Sequence, residues 1–448
     1  MDTKKSNLKL ILTMGIPPIL SMLIQSLYSI VDGIFVGQIS DAAFNAISIA
    51  YPITNLTLAL AVGFGVGINS LMARSLGAGD KKKARKTADT YLVCSVCHYL
   101  IFIILGLSII PFFFSWFTDN PETIKLGKEY LAILLFLCIG QLIHIAIEKI
   151  FQAHGKMAVG MIAQGLGCVV NIVLDALFIY AFKMGITGAA IATVIGQFSS
   201  CIYIFIMGLK HKYISLNFKE LIPDMKILKE IYQVAIPSTI MTALVSVLTL
   251  VLNLFLKRFG DDYVQILGVY FKLQTFIYMP LNGMIQGLRP IFGFFYGQGE
   301  NARLKDSLKK SIYLMLIFTI IGFILFMLMP SLLMKPFTNN QNVIIKGSNA
   351  LRIICIGFIP SGFSLIIVSL YESIGSGIRS LVISLLRGLI IPVLYSAICI
   401  YALNQNEVAI YLSITVGEVV TFFVAGIIYF TSKKDVYITK EPSFIVNP

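Results

Sequence analysis

Two aspartates stand where an acid is costly. Asp32 and Asp175 each sit in a long apolar stretch, about four to five residues from its far end, roughly 6 Å deep at ~1.5 Å per residue. Each has a polar residue one helical turn earlier, Tyr28 before Asp32 and Asn171 before Asp175, so each pair shares a helix face. Thr193, in the next apolar stretch, reaches a similar level. An ionisable side chain in hydrocarbon costs at least ~2.5–3.5 kcal/mol, which makes each acid a functional candidate. Two carboxylates close together in low dielectric cannot both stay ionised cheaply, so one should bind a proton or share a cation. The competing reading, that both acids cap helix ends or snorkel to headgroups, is opposed by their apolar flanks and matching partners.

Other intramembrane charges lie later in the chain: Lys272, Arg289, Arg387 and Glu418. Glu418 falls near the middle of its stretch and has two readings. It pairs with Arg387 as structural glue, or it faces a cleft and attracts a cationic substrate. Glu148, Lys149 and Glu372 fall at helix ends, where solvation is expected. His98 and His144 read as packed residues, His154 as a loop residue and His211 as part of a linker. Cys94 and Cys97 form a C-x-x-C without a second pair, and the seven cysteines lie mostly in apolar runs, so no metal site is expected.

These residues need a frame, and composition supplies it. The 448 residues are 57% hydrophobic and 13% charged, with a mean hydropathy of +0.86. A soluble domain carries about 25% charged residues, and no soluble globule can hide so much apolar surface. Soluble enzymes, disordered tails and disulfide scaffolds are excluded, and no cleavable signal peptide is evident. Twelve segments are long enough to cross a bilayer: 10–36, 45–73, 88–114, 130–151, 158–180, 187–209, 231–256, 265–294, 311–333, 349–372, 380–402 and 408–431. Of the 35 lysines and arginines, 24 fall on the termini and one set of loops, against seven on the opposite loops. That asymmetry predicts both termini in the cytoplasm and explains the net charge of +13 without nucleic acid.

The chain also repeats itself at an offset of 220: Ile16-Pro17 falls on Ile236-Pro237, Gly77-Ala78-Gly79-Asp80 on Gly297-Gln298-Gly299-Glu300, Phe117-Thr118 on Phe337-Thr338, and Gln152-Ala153-His154-Gly155 on Glu372-Ser373-Ile374-Gly375. The expectation is an all-α membrane protein with two six-helix lobes, 1–209 and 231–432, a cytoplasmic linker 210–230 and a tail 433–448. Six spans per lobe make the repeat parallel, a transporter signature in which one lobe rocks against the other. The repeat places Leu252 and Tyr395 at the positions of Asp32 and Asp175, so coupling chemistry is expected in the first lobe only. Pro17-Pro18 and Pro52 are expected to kink their spans.

The stretches Leu27-Tyr28-Ser29-Ile30-Val31-Asp32, Asn171-Ile172-Val173-Leu174-Asp175, Gly188-Ala189-Ala190-Ile191-Ala192-Thr193, Gln286-Gly287-Leu288-Arg289-Pro290 with Tyr296-Gly297, and Leu386-Arg387 together resemble the MATE (multidrug and toxic compound extrusion) family, in its DinF-like branch, to about residue 432. The resemblance implies an exporter of cationic, amphipathic drugs or toxic metabolites, driven by entry of H⁺ or Na⁺ and needing no other cofactor. It further implies that Tyr28, Asp32, Asn171, Asp175 and Thr193 form a cation-responsive site, with Pro17 as the bend of span 1. Another branch carries acids in spans 7 and 10. Span 7 here has none and Glu372 is terminal, so no second-lobe sodium site is expected.

A flippase for lipid-linked precursors is the alternative within the same superfamily; it would need a cationic cavity for pyrophosphate, whereas the deep first-lobe charges are acidic. A membrane-embedded transferase is disfavoured by the lack of a D-D-x-x-D pair, an H-E-x-x-H and a sizeable soluble loop. The expectation is a monomeric multi-pass protein of the cell membrane, not an enzyme and not bound to nucleic acid.

Overall fold

The computed structural model describes residues 6–214, 223–338, 340–404 and 406–437, without the side chains of Ser29, Ile30, Asp41 and Asp261. Lys4, Lys5, Lys219 and Lys440, which contribute to the charge asymmetry, lie outside the described residues, as do the middle of the 210–230 linker and most of the tail. Regular structure among the described residues is helical throughout.

The first lobe comprises α1 (Asn7–Gly37), α2 (Asp41–Gly77), α3 (Lys81–Phe113), α4 (Pro121–Phe136), α5 (Ile139–Ala153), α6 (Met157–Ala176) and α7 (Gly185–Lys210). The second comprises α8 (Met225–Leu256), α9 (Asp261–Gln298), α10 (Asn301–Leu328), α11 (Pro330–Met334), α12 (Gln341–Cys355), α13 (Phe358–Ser373), α14 (Gly377–Leu385), α15 (Ile391–Ala397) and α16 (Val408–Thr431), followed by the short α17 (Lys433–Val436). Among the described residues nine helical stretches are long and apolar enough to span a membrane, and two more spans are bent pairs, α4 with α5 at 43° and α12 with α13 at 46°. The twelfth span is α9. Its 38 residues, about 57 Å at ~1.5 Å per residue, carry Lys272 and Arg289 and pack against α1, α2, α10 and α13 rather than lipid alone.

The parallel repeat is visible in local chemistry. Asn120 and Asn340 cap α4 and α12 with their side-chain oxygens, and each takes a bond from its own backbone N–H to Thr118 or Thr338 at 3.2 Å. Gly79 and Gly299 close α2 and α9 at φ +78° and +75°, and Gly155 and Gly375 follow α5 and α13 at φ +76° and +90°. Carbonyls freed at the two bends find partners: Tyr99 donates to Phe136 O at 2.7 Å in one lobe, and Thr415 to Ile353 O at 2.7 Å in the other.

The lobes meet through α1, α2, α8 and α9. Close approaches join residues 14–19 of α1 to 283–287 of α9, and 63–67 of α2 to 231–239 of α8. All lie in the half nearest the chain ends. Toward the opposite, far face Leu27, Tyr51, Leu56, Val245 and Phe276 are exposed. α2 and α9 cross at the repeat-related pair Gly77 and Gly297, where a Cβ would fall 2.1 Å from Phe294 O or Arg74 O. Gly297→Ala should therefore cost ~1–3 kcal/mol, read as a lower apparent unfolding temperature in detergent. Gly426→Ala, in open space, should leave it unchanged or raise it.

Candidate functional site

α6 and α7 approach closely because small residues line their contact. A Cβ on Gly196 would meet Gly167 O at 2.7 Å, and Ser200 donates to Ala163 O at 2.8 Å. This contact carries Thr193 to Asn171, whose Nδ2 donates to the threonine Oγ1 at 3.4 Å. α1 packs along α6, bringing Asp32 within electrostatic range of Asp175. Tyr28 lies within electrostatic range of Asp32 and beside Thr193. Tyr28, Asp32, Asn171, Asp175 and Thr193 thus lie near one another on α1, α6 and α7.

The layer is rich in oxygen acceptors that lack donors. Asp175 is fully buried and Asn171 nearly so. Among the described residues, both carboxylate oxygens of Asp175, and Oδ1 of Asn171, lack a hydrogen-bond partner of ordinary geometry. Asp32 is half-buried, which leaves it the more accessible acid. Among the described residues neither aspartate has a lysine or arginine partner. The helix changes register at once after Asp175, into a π-turn at Leu177–Ala181, a distortion often found beside functional residues.

Sequence reading missed Tyr130 on α4. It is buried and lies within electrostatic range of both aspartates. Its place next to Lys128 and Glu129 reads as a helix end facing water, and only the packing of α4 on α2 and α7 turns it inward. In the second lobe the equivalent of Asp32 is Leu252, buried in an apolar cluster.

Pro17 lies in an unbroken α1, with its carbonyl accepting from Ser21 at 3.1 Å. It sits in the segment that touches α9, far along the helix from Asp32. Arg387, in the π-turn Leu386–Ile390, donates from Nε to both oxygens of Glu418 at 2.7 Å. The guanidinium stacks over Tyr278 at 5.5 Å, and Tyr278 donates to Ser361 at 2.9 Å.

One expectation fails. Lys149 and Glu372, expected in solvent, are 4% and 1% exposed. Helix-end position was equated with hydration, but α5 and α13 end at the contact between lobes, which covers them. Glu372 accepts from Arg289 at 2.8 Å and from Ser238 at 2.7 Å. Lys149 donates to Gln152 at 3.1 Å and Gln286 at 3.0 Å. Glu148, beside it, is only partly buried.

The MatE family model matches residues 17–177 and 237–398, two stretches that begin 220 residues apart. The chain is similar to the multidrug export protein MepA of Staphylococcus aureus (strain MSSA476), 24% identical over 399 residues and 88% of each chain. Among solved structures, it resembles a multidrug resistance MATE family transporter of the MOP superfamily in its outward-facing conformation, at a TM-score of 0.90 and 24% identity over 97% of this chain and 98% of that one. A MOP superfamily transporter from Pyrococcus furiosus, described as having a binding pocket of reverse polarity that suggests a different function, aligns at a TM-score of 0.90 and 25% identity over the same shares.

Proposed function

The chain belongs to the MatE family, and from that premise we propose that it exports cationic, amphipathic drugs or toxic metabolites by antiport with protons, or with sodium, through alternating access. As a family member it is a multi-pass membrane transporter and not an enzyme. The observation that carries the coupling is the proximity of Asp32 and Asp175 among buried oxygens without donors. Such a pair holds one excess charge at high cost in low dielectric, and a proton or a small cation relieves it. Asp32 is the entry point, Asp175 the buried partner, and Tyr28, Asn171 and Thr193 hold the two helices in register around them. Arrival of the ion changes the charge on α1, and Pro17 gives that helix a place to bend.

Cargo of opposite requirement follows. The acids attract a cation, the coupling ion displaces it, and release would occur on the far face. A flippase for lipid-linked precursors would need cationic groups at this depth in the first lobe. The charge asymmetry orients both termini to the cytoplasm of a cell-membrane protein. The lobes are taken as 1–209 and 231–432, joined by 210–230, with a tail 433–448, acting as a monomer. Arg387 and Glu418 serve as structural charge.

The test is ethidium efflux from vesicles of purified protein under an imposed pH gradient or an imposed Na⁺ gradient. Efflux should accelerate severalfold under one of the two and fall to leak when that gradient is collapsed. Efflux indifferent to both gradients would exclude antiport.

A further inference from the structure

The face nearest the chain ends is sealed by polar groups as well as by apolar contact, and their distribution between lobes is uneven. In the first lobe Gln152 Nε2 donates to Glu148 at 2.8 Å, and Lys149 Nζ lies 3.8 Å from the same carboxylate. In the second lobe Arg289 and Ser238 satisfy Glu372. Glu148 and Glu372 are thus each paired within their own lobe. What crosses between lobes is neutral at one end. Gln286 on α9 accepts, through its side-chain oxygen, from Lys149 at 3.0 Å and from Gln152 at 3.2 Å. Ser70 on α2 donates to the Glu372 carbonyl at 2.5 Å, and Arg74 to the Ile374 carbonyl at 3.2 Å. Among the described residues, an ion pair between carboxylate and ammonium crosses further out, Lys83 to Glu230 at 2.8 Å, with about a third of each side chain exposed (35% and 37%).

We infer that Gln286 is a positioning residue of the transport cycle, a latch whose amide oxygen ties Lys149 and Gln152 of the first lobe to the second. The physical reason is the cost of opening. Breaking a neutral hydrogen bond that water can replace costs little, whereas parting a buried ion pair leaves two charges to be rehydrated. Keeping each acid paired inside its lobe lets the seal hold when shut and release without stranding a charge. Where a carboxylate–ammonium pair does cross, water already reaches it. The repeat underlines the arrangement. The positions of Arg289 and Glu372 correspond to Asn69 and Gln152, and those of Glu148 and Lys149 to Val368 and Ser369, so each lobe charges positions that the other leaves neutral. The inference rests on the proposal that the lobes rock.

The experiment measures distances across this face by pulsed electron resonance between spin labels on Lys82→Cys and Lys305→Cys, with Cys97→Ser removing the exposed native thiol. Gln286→Leu should shift the ratio of short to long distances about tenfold toward long. Gln286→Glu, which creates a buried cross-lobe ion pair with Lys149, should shift it about tenfold toward short and slow ethidium efflux by a similar factor. Adding Lys149→Gln to Gln286→Glu should restore the wild-type ratio. A merely structural residue would not move the populations in opposite directions or be rescued in this way. Wild-type distances that respond to substrate or gradient while both variants respond identically to wild type would overturn the latch alone. A wild-type distance fixed under every condition would overturn the rocking proposal and the latch with it.

Discussion

Asparagine in place of Asp175 is expected to bring gradient-driven ethidium efflux down to the leak rate, a loss of at least about tenfold, while leaving the protein folded. The side chain keeps its shape, so packing between α6, α7 and α1 is retained. What goes is the ability to titrate or to hold a cation. Asp175 is fully buried and its oxygens lack donors, so removing its charge relieves a desolvation cost instead of breaking a favourable bond. The apparent unfolding temperature in detergent should therefore stay level or rise. Asp32→Asn should lose coupling too, because a lone carboxylate no longer has a like charge to force exchange. Loss of coupling with retained stability separates an ion-exchange role from a packing role. Wild-type coupled efflux in both variants would sink the site, whatever the fate of the frame.

The frame was legible because duplication writes the same local chemistry twice. Asn120 and Asn340 cap, Gly79 and Gly299 turn, and the bent spans break at equivalent places. Each of these is a backbone requirement met by a residue type, which a sequence carries openly. The pairing of Tyr28 with Asp32, and of Asn171 with Asp175, was legible for a similar reason: spacing along one helix fixes a shared face.

Contacts between helices were harder to read. Tyr130 becomes part of the acid layer through the packing of α4, for which its own segment gives no cue. Lys149 and Glu372 lie at helix ends, and depth along a helix says nothing about whether another lobe covers that end. α9 illustrates the same gap from the other side. It carries polar residues along its length that find partners in the fold, Gln286 with Lys149 of the other lobe and Arg289 with Glu372 of its own.

The second lobe permits a sharper test, since Arg387 and Glu418 could be glue or bait. Their bonds at 2.7 Å, the stacked Tyr278 and the burial of Glu418 make a closed set. The pair also supports a bend. Glu418 packs on Gly357, where α12 gives way to α13, and Thr415 one turn earlier takes the Ile353 carbonyl. Removing one partner strands a buried charge, so Arg387→Met or Glu418→Leu alone should each cost ~3–5 kcal/mol, seen as a large fall in apparent unfolding temperature. Removing both leaves no charge behind, and Arg387→Met with Glu418→Leu should return to within about 1 kcal/mol of wild type. The double variant then decides the role. As glue, the pair can be replaced by apolar packing with ethidium efflux preserved. If Glu418 draws the cargo, the double variant will be stable and still fail to transport, and the assignment of cation attraction to the first lobe alone falls.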